Sequence, residues 1–153
     1  MGIKVLSLFD GISCGLVALK RANIDVSEYH AFEINTSAIM VAKRNHPEII
    51  HYGTVEKADF SKFSGFDLVI GGSPCQGFSF SGNMQGFDDP RSKLYFEFER
   101  AVKETNPNWF MLENTPMDYA YILYISERLG VTPDFLNSEK VSAQVRKRYY
   151  WKN

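Results

Sequence analysis

Apolar and polar positions follow two alternating periods along this chain. IKVLSLF (3–9) is a short apolar, β-branched run that stops at Asp10-Gly11, and it predicts a strand. SCGLVALKRAN (13–23) has helical spacing, with Ser13 as its N-cap. YHAFEI (29–34) predicts a second strand. TSAIMVAKRNHP (36–47) predicts a second helix, capped by Thr36 or Ser37 and stopped by Pro47. EIIHYG (48–53) reads as a third strand and FDLVIGG (66–72) as a fourth, whose nearly unbroken apolar run suits burial on both faces. A polar, Gly-rich stretch at 72–92 has little periodicity, and a loop of that length in a compact domain commonly carries function. A helix over 92–107 places Leu94, Phe98, Ala101 and Val102 on one face. A strand follows at 108–113, then a helix at 117–130 with Ile122, Ile125 and Leu129 inward and Gly130 as its stop. DFLNSEKV and RYYWKN predict a closing hairpin.

Strands alternating with helices predict an α/β fold: a Rossmann-like, mostly parallel twisted sheet of about seven strands with helices on both faces. The whole of 1–153 is expected to form one domain. Sheets of this kind bind ligands outside the carboxyl ends of the strands, where the strand order reverses. The segments 9–15, 33–36, 53–55, 71–80 and 113–116 therefore hold the candidate chemistry.

Gly11 and Gly15 in FDGISCG permit a tight strand-to-helix turn and close backbone approach to a ligand, although a plain tight turn explains them equally well. Glu33 follows that turn by about 20 residues, the spacing at which an acid bonds the ribose hydroxyls of an adenosine cofactor. The alternative is a solvated carboxylate. Cys75, behind Pro74 in GGSPCQGFSF, sits where backbone N–H groups and cations activate a thiol, or is a small apolar filler. Glu113 in ENT stands at the next strand end, suited to proton donation. In QVRKR, alternation sends Gln144, Arg146 and Arg148 to one face, or makes a solvated basic edge.

Composition changes little. The formal net charge of −1 argues against a chain that grips a nucleic-acid backbone unaided, although basic residues cluster at the C-terminus. Two cysteines make no disulfide framework, and the reducing cytoplasm is expected. If the first and fourth strands are neighbours, Cys14 and Cys75 lie at adjoining strand ends and oxidation can link or block them. No metal is expected, since His30, His46 and His51 are scattered, and no apolar run reaches the length of a membrane span. The N-terminus reads as a strand rather than a signal peptide.

The order FDGISCG, FEIN, GGSPCQGFS, LENT, SAQVRKR resembles the DNA (cytosine-5) methyltransferases, especially short phage-type members, from residue 3 to about 152. The resemblance implies S-adenosylmethionine as cofactor, S-adenosylhomocysteine as product, and a cytosine flipped out of double-stranded DNA as substrate. It implies that Cys75 adds to C6 of the ring and that Glu113 protonates or hydrogen-bonds N3, so that C5 can attack the sulfonium methyl. Arg146 and Arg148 resemble the arginines that hold the base and the glutamate. The implied cofactor contacts are Phe9, Asp10, Gly11, Ile12, Gly15, Glu33, Thr54, Pro74 and Leu94. Gln76, Ser79, Arg91 and Gln144 are implied on the DNA side, within or beside a closing catalytic loop at 76–92. The expected setting is the cytoplasm of a bacterial or phage-infected cell.

Two departures stand out. The chain stops after the Gln-x-Arg-x-Arg motif, so a target-recognition domain is expected to be absent. Thr54 stands where the family places an acid on the adenine amino group, which predicts weaker cofactor binding by about 1–2 kcal/mol. Thr115 and Val145 are milder changes. Three readings stay open: a catalytic half served by a second chain or a homo-oligomer, an inactive relative acting as a ligand-binding or protein-interaction module, or a truncated chain.

Overall fold

Val5, Leu6, Ser7 and Leu8 have at most 3% of their surface exposed, because the strand that carries them is covered on both faces. This strand, β1 (Ile3–Leu8), pairs in parallel with β2 (Val26–Phe32) on one side and β4 (Leu68–Gly71) on the other. The structure is a computed structural model and describes residues 2–74 and 93–153. β3 (Ile50–Tyr52) extends the sheet beyond β2, and β5 (Trp109–Asn114) extends it beyond β4, both in parallel. β7 (Lys147–Lys152) and β6 (Asp134–Asn137) complete the sheet antiparallel, in the order β3-β2-β1-β4-β5-β7-β6.

This α/β sheet, mostly parallel and seven-stranded, is the expected architecture. The order reverses between β1 and β4, which opens the crevice at their carboxyl ends. Because β7 runs antiparallel, its first residues lie beside the last residues of β5: Asn114 pairs with Tyr149 and Glu113 with Tyr150. The basic C-terminal motif is thereby delivered to the edge where the parallel strands end.

Helices α1 (Cys14–Arg21) and α2 (Thr36–Asn45) cover one face of the sheet. α3 (Leu94–Thr105) and α4 (Tyr119–Leu129) cover the other. The cap of α2 is Asn35, whose side chain accepts from the Ala38 N–H, and not Thr36 or Ser37, which fall in the first turn. Gly130 ends α4 in the left-handed conformation, as its position predicts. β2 begins at Val26, three residues ahead of the predicted 29.

The main core lies under α3 and α4. There Leu6, Leu8, Val69, Leu112 and Trp151 of the sheet meet Tyr95, Phe98, Ile122 and Ile125 of the helices. Two 3-10 turns that the periodicity did not predict, Val55–Lys57 and Phe60–Phe63, add Val55, Phe60 and Phe63 to it. Each such large apolar side chain contributes about 1.5–3 kcal/mol when buried. The smaller core under α1 and α2 holds Val5, Leu16, Tyr29, Ala31, Ile49 and Ile70.

Candidate active site

The turn after β1 is strained and braced. Phe9, Gly11 and Ser13 all have positive φ, at 58°, 60° and 65°. Glycine adopts this freely, but for Phe9 and Ser13 it costs about 1 kcal/mol or more each. The brace is the Asp10 carboxylate. It accepts the hydroxyls of Ser7 at 2.6 Å and Tyr29 at 2.7 Å, and that of Ser13. Ser13 occupies the cap position of α1 in the left-handed conformation and makes no side-chain cap, its hydroxyl pointing to Asp10. Burial, with Asp10 alongside, pushes the Tyr29 phenol up and keeps it a donor. Asp10 is therefore an internal strut.

The N–H groups of this turn are committed inside the protein as well: Asp10 to Phe32 O, Gly11 to Glu33 Oε2 and Ser13 to Asp10 O. Gly15 is required for packing. A Cβ there would lie 2.5 Å from Ile70 Cδ1 and 3.0 Å from the Tyr29 hydroxyl.

Two cavities flank Phe9. The smaller, about 200 Å³, has apolar walls from Phe9, Phe32, Ile34, Val55, Pro74 and Leu94, and two carboxylates, Glu33 and Glu56, beside Gly53 and Thr54. Glu33 accepts three backbone N–H groups: Gly11 at 2.7 Å on Oε2, and Ile34 at 2.8 Å and Asn35 at 2.7 Å on Oε1. A carboxylate has about four acceptor positions, so one remains, on Oε2. It suits one hydroxyl, where two were expected. Thr54 caps the first 3-10 turn by accepting the Glu56 N–H, and its hydroxyl lies 3.2 Å from Glu56 Oε2. That wall is pinned from α3. Arg100 donates to Val55 O at 3.0 Å and Ala58 O at 2.9 Å, and its guanidinium stacks 4.4 Å from the Phe60 ring.

The larger cavity, about 520 Å³, runs from Asp10, Cys14 and Gly15 across Ile70, Gly72 and Met111 to Glu113, Arg146 and Tyr150. Arg148 Nε donates to Glu113 Oε1 at 2.7 Å, and Arg146 lies 3.6 Å from the same oxygen. The two arginines flank Lys147 and share a face, as alternation predicts. Gly72 lets the carboxylate sit close, since a Cβ there would lie 3.1 Å from Glu113 Oε2. Burial, then the Glu113 charge, raises the Tyr150 phenol.

Beside Glu113, Asn114 is 1% exposed, and its amide donates to Ser73 O at 3.3 Å and Ser73 Oγ at 3.2 Å. This ties the end of β5 to the segment leading through Pro74 towards Cys75.

Phe9, Glu33, Thr54, Pro74 and Leu94 thus meet around the smaller cavity, and Phe9, Asp10, Gly15, Glu113 and Arg146 around the larger. Gly11 reaches the site through Glu33. Ile12 lines neither cavity and is half exposed. Gln144 lies in an exposed bend before β7, not on the extended face that alternation placed it on. Cys75, Gln76, Ser79 and Arg91 lie outside the described residues. β1 and β4 are neighbours, but the pairing of Cys14 with Cys75 falls outside with them. Among the described residues no cluster of His, Cys, Asp and Glu is arranged to hold a metal, and no helix is long and apolar enough to cross a membrane. Glu56, Ser73, Arg100 and Asn114 were not singled out. Glu56 had a readable signal in Thr54 two residues before it, since a Thr hydroxyl can accept the N–H two positions on.

A doubly wound sheet with its crevice at the β1/β4 switch point defines a ligand-binding α/β domain. Residues 3–117 match the sequence profile of the C-5 cytosine-specific DNA methylases, and the chain belongs to that family. It is 38% identical over 114 residues to the orphan methyltransferase M.SPRI of Bacillus phage SPR, a match covering 73% of this chain and 26% of that protein. It is 35% identical over 117 residues to the type II methyltransferase M.NlaIV of Neisseria lactamica, covering 73% of this chain and 27% of that protein. The chain spans about a quarter of the length of these relatives. Among solved structures it superposes on a DNA modification methyltransferase encoded within an E. coli prophage, with a TM-score of 0.69, 28% identity, and coverage of 99% of this chain and 46% of that one. The S. pombe Dnmt2 methyltransferase shares the fold, with a TM-score of 0.74, 20% identity, and coverage of 98% and 48%.

Proposed function

We propose that this chain is the cofactor-binding and catalytic part of a DNA (cytosine-5) methyltransferase acting on a cytosine flipped out of double-stranded DNA. The observation that carries the reading is the Glu113–Arg148–Arg146 cluster, set across a continuous crevice from the braced turn at Phe9. The smaller cavity fits S-adenosylmethionine in its donor set: apolar walls for a flat base and a Glu33 oxygen with one acceptor position for a ribose hydroxyl. Bound there, that cofactor supplies an electrophilic methyl group. Phe9, Pro74 and Leu94 would wall the base, Glu33 would accept a ribose hydroxyl, and the Thr54–Glu56 turn would face the polar edge of the base.

The chain's own residues do the rest. Arg148 fixes the Glu113 carboxyl from one side, so that it can deliver a proton to N3 of the ring as negative charge builds there on thiolate addition. Cys75, assigned from sequence, adds through its thiolate to C6, breaking the C5–C6 π bond and loading electron density onto C5; once C5 carries the methyl group, loss of the C5 proton and expulsion of the thiolate restore the ring. Asn114 and Ser73 anchor the segment that leads to it. DNA recognition is assigned to a second chain, a homo-oligomer or residues beyond these 153, in keeping with the net charge of −1.

Transfer of labelled methyl from S-adenosylmethionine to DNA tests this. Covalent capture on 5-fluorocytosine DNA that Cys75→Ser abolishes supports the reading, and capture that survives it removes Cys75 as nucleophile. A second reading, an inactive module for ligand or protein binding, draws on the exposed Trp109 and Leu136. Cofactor binding without methyl transfer, with or without added recognition chains, would favour it.

A further inference from the structure

We infer that Glu56, rather than Thr54, is the residue that selects a 6-amino purine in the smaller cavity. The inference rests on the cofactor reading above. Thr54 stands closer in sequence to the end of β3 than Glu56, yet its hydroxyl is turned along the protein. It accepts the Glu56 N–H at 3.3 Å and donates to Glu56 Oε2 at 3.2 Å. A hydroxyl has one proton and two acceptor positions, so Thr54 keeps one lone pair and no donor. Glu56 lines the same cavity, and its Oε1 has no hydrogen-bond partner among the described residues. It is a full acceptor, and its only described side-chain bond, from Thr54, steadies its position.

The rest of the cavity sharpens the assignment. The side chains of Phe9, Ile34, Pro74 and Leu94 carry no hydrogen-bonding group. The other carboxylate, Glu33, has three of its acceptor positions filled by backbone N–H groups. Glu56 is thus the carboxylate with open capacity, and an exocyclic amine is the purine substituent that donates to it. The backbone of the turn that carries Glu56 is held by Arg100 through the Val55 and Ala58 carbonyls, and the exposed Glu56 side chain is steadied from Thr54. The acid has in effect moved two positions along the chain.

The test is calorimetric binding of S-adenosylhomocysteine and its 6-oxo analogue, S-inosylhomocysteine, to the full chain and to Glu56→Ala, Glu56→Gln and Thr54→Val. The wild type is expected to prefer the 6-amino ligand by about tenfold, as a hydrogen bond to a charged group allows. Glu56→Ala should abolish that preference, and Glu56→Gln, whose amide can donate, should move it towards the 6-oxo ligand. Thr54→Val should change affinity by about twofold and keep the preference. Discrimination that survives Glu56→Ala and vanishes in Thr54→Val would overturn the assignment. So would equal binding of both ligands by the wild type, which leaves the cofactor reading standing. A wild-type chain that binds neither ligand would sink both.

Discussion

The two faces of the sheet are built differently. Under α3 and α4 the strands carry Leu6, Leu8, Phe32, Val69, Leu112 and Trp151, all buried, and the two 3-10 turns close the remaining gap with Phe60 and Phe63. Under α1 and α2 the buried set is smaller, and it thins out beyond β4. Met111 and Tyr150 are half-buried there, and Trp109 and Leu136 are 50% and 56% exposed. Among the described residues no helix covers this half of the second face. The candidate cluster stands on it: Glu113, Arg146, Arg148 and Tyr150 all point to the sparsely covered side. One face therefore carries the stability, and the other trades coverage for access.

Tryptophan gives the sharpest test of that contrast, because each face holds one. Trp151 is fully buried and donates its indole N–H to Ser126 Oγ at 2.9 Å. Trp151→Ala is expected to cost about 3–5 kcal/mol, since it leaves a cavity and removes the indole donor from Ser126 Oγ, which keeps its own bond to Ile122 O at 2.7 Å. Trp109→Ala, on the open face, should stay within about 0.5 kcal/mol. Urea denaturation of both variants decides it, and similar losses would mean that the open face is covered in solution.

The contrast was only partly visible in the sequence. The parallel strands and α1 to α4 followed from apolar periodicity, the rule that ligands gather at strand ends pointed to Glu33 and Glu113, alternation pointed to the two arginines, and the family resemblance supplied Phe9. The 3-10 turns escaped because no helical or strand period covers 55–63, although Phe60, Phe63 and Phe66 recur every third residue, the repeat of a 3-10 helix. At Gly15 nothing local marks a further reason for glycine, because the contacts with Ile70 and Tyr29 come from strands remote in sequence. Asn114 escaped for the same reason. Its partner Ser73 is remote in sequence, and only the β4–β5 pairing brings them together.

Asn114 supplies the next effect in size. Removing its amide by Asn114→Ala leaves Ser73 O and Oγ without these donors in a buried site, at a cost of about 1–3 kcal/mol. A double-mutant cycle with Ser73→Ala should show coupling, because the two side chains share one bond. Simple additivity would mean that the strand end and the loop are held independently.

The arginines should separate by less. Arg148 has 18% of its side chain exposed and sits 2.7 Å from Glu113, whereas Arg146 is 49% exposed at 3.6 Å. Double-mutant cycles with Glu113→Gln should give a coupling of about 1 kcal/mol for Arg148 and less than about 0.5 kcal/mol for Arg146. Added salt should erase the second before the first. Equal couplings would place both arginines in the same environment and contradict the geometry.

The gentlest probe is acid, because each face also holds a histidine. His30 lies under the α3/α4 face among Phe63 and Phe66, and burial lowers its pKa, while Glu28 at 3.4 Å pulls it back up. His51 pairs with Ala31 on the α1/α2 face. Burial lowers it, Lys43 adds to that, and Asp10 and Glu33 oppose. In both cases the folded pKa falls below the ordinary value near 6.5. The unfolded chain then binds more protons in the interval between the two values. Stability is fully present above about pH 6.5 and declines as pH falls through the folded values. Glu28→Gln removes the opposing charge from His30 alone, so its folded pKa should drop further and the acid loss should steepen. Proton-detected titration of the two rings, with denaturation midpoints between pH 7 and 5, measures both. A midpoint that rises on acidification would show that the rings are charged in the folded protein.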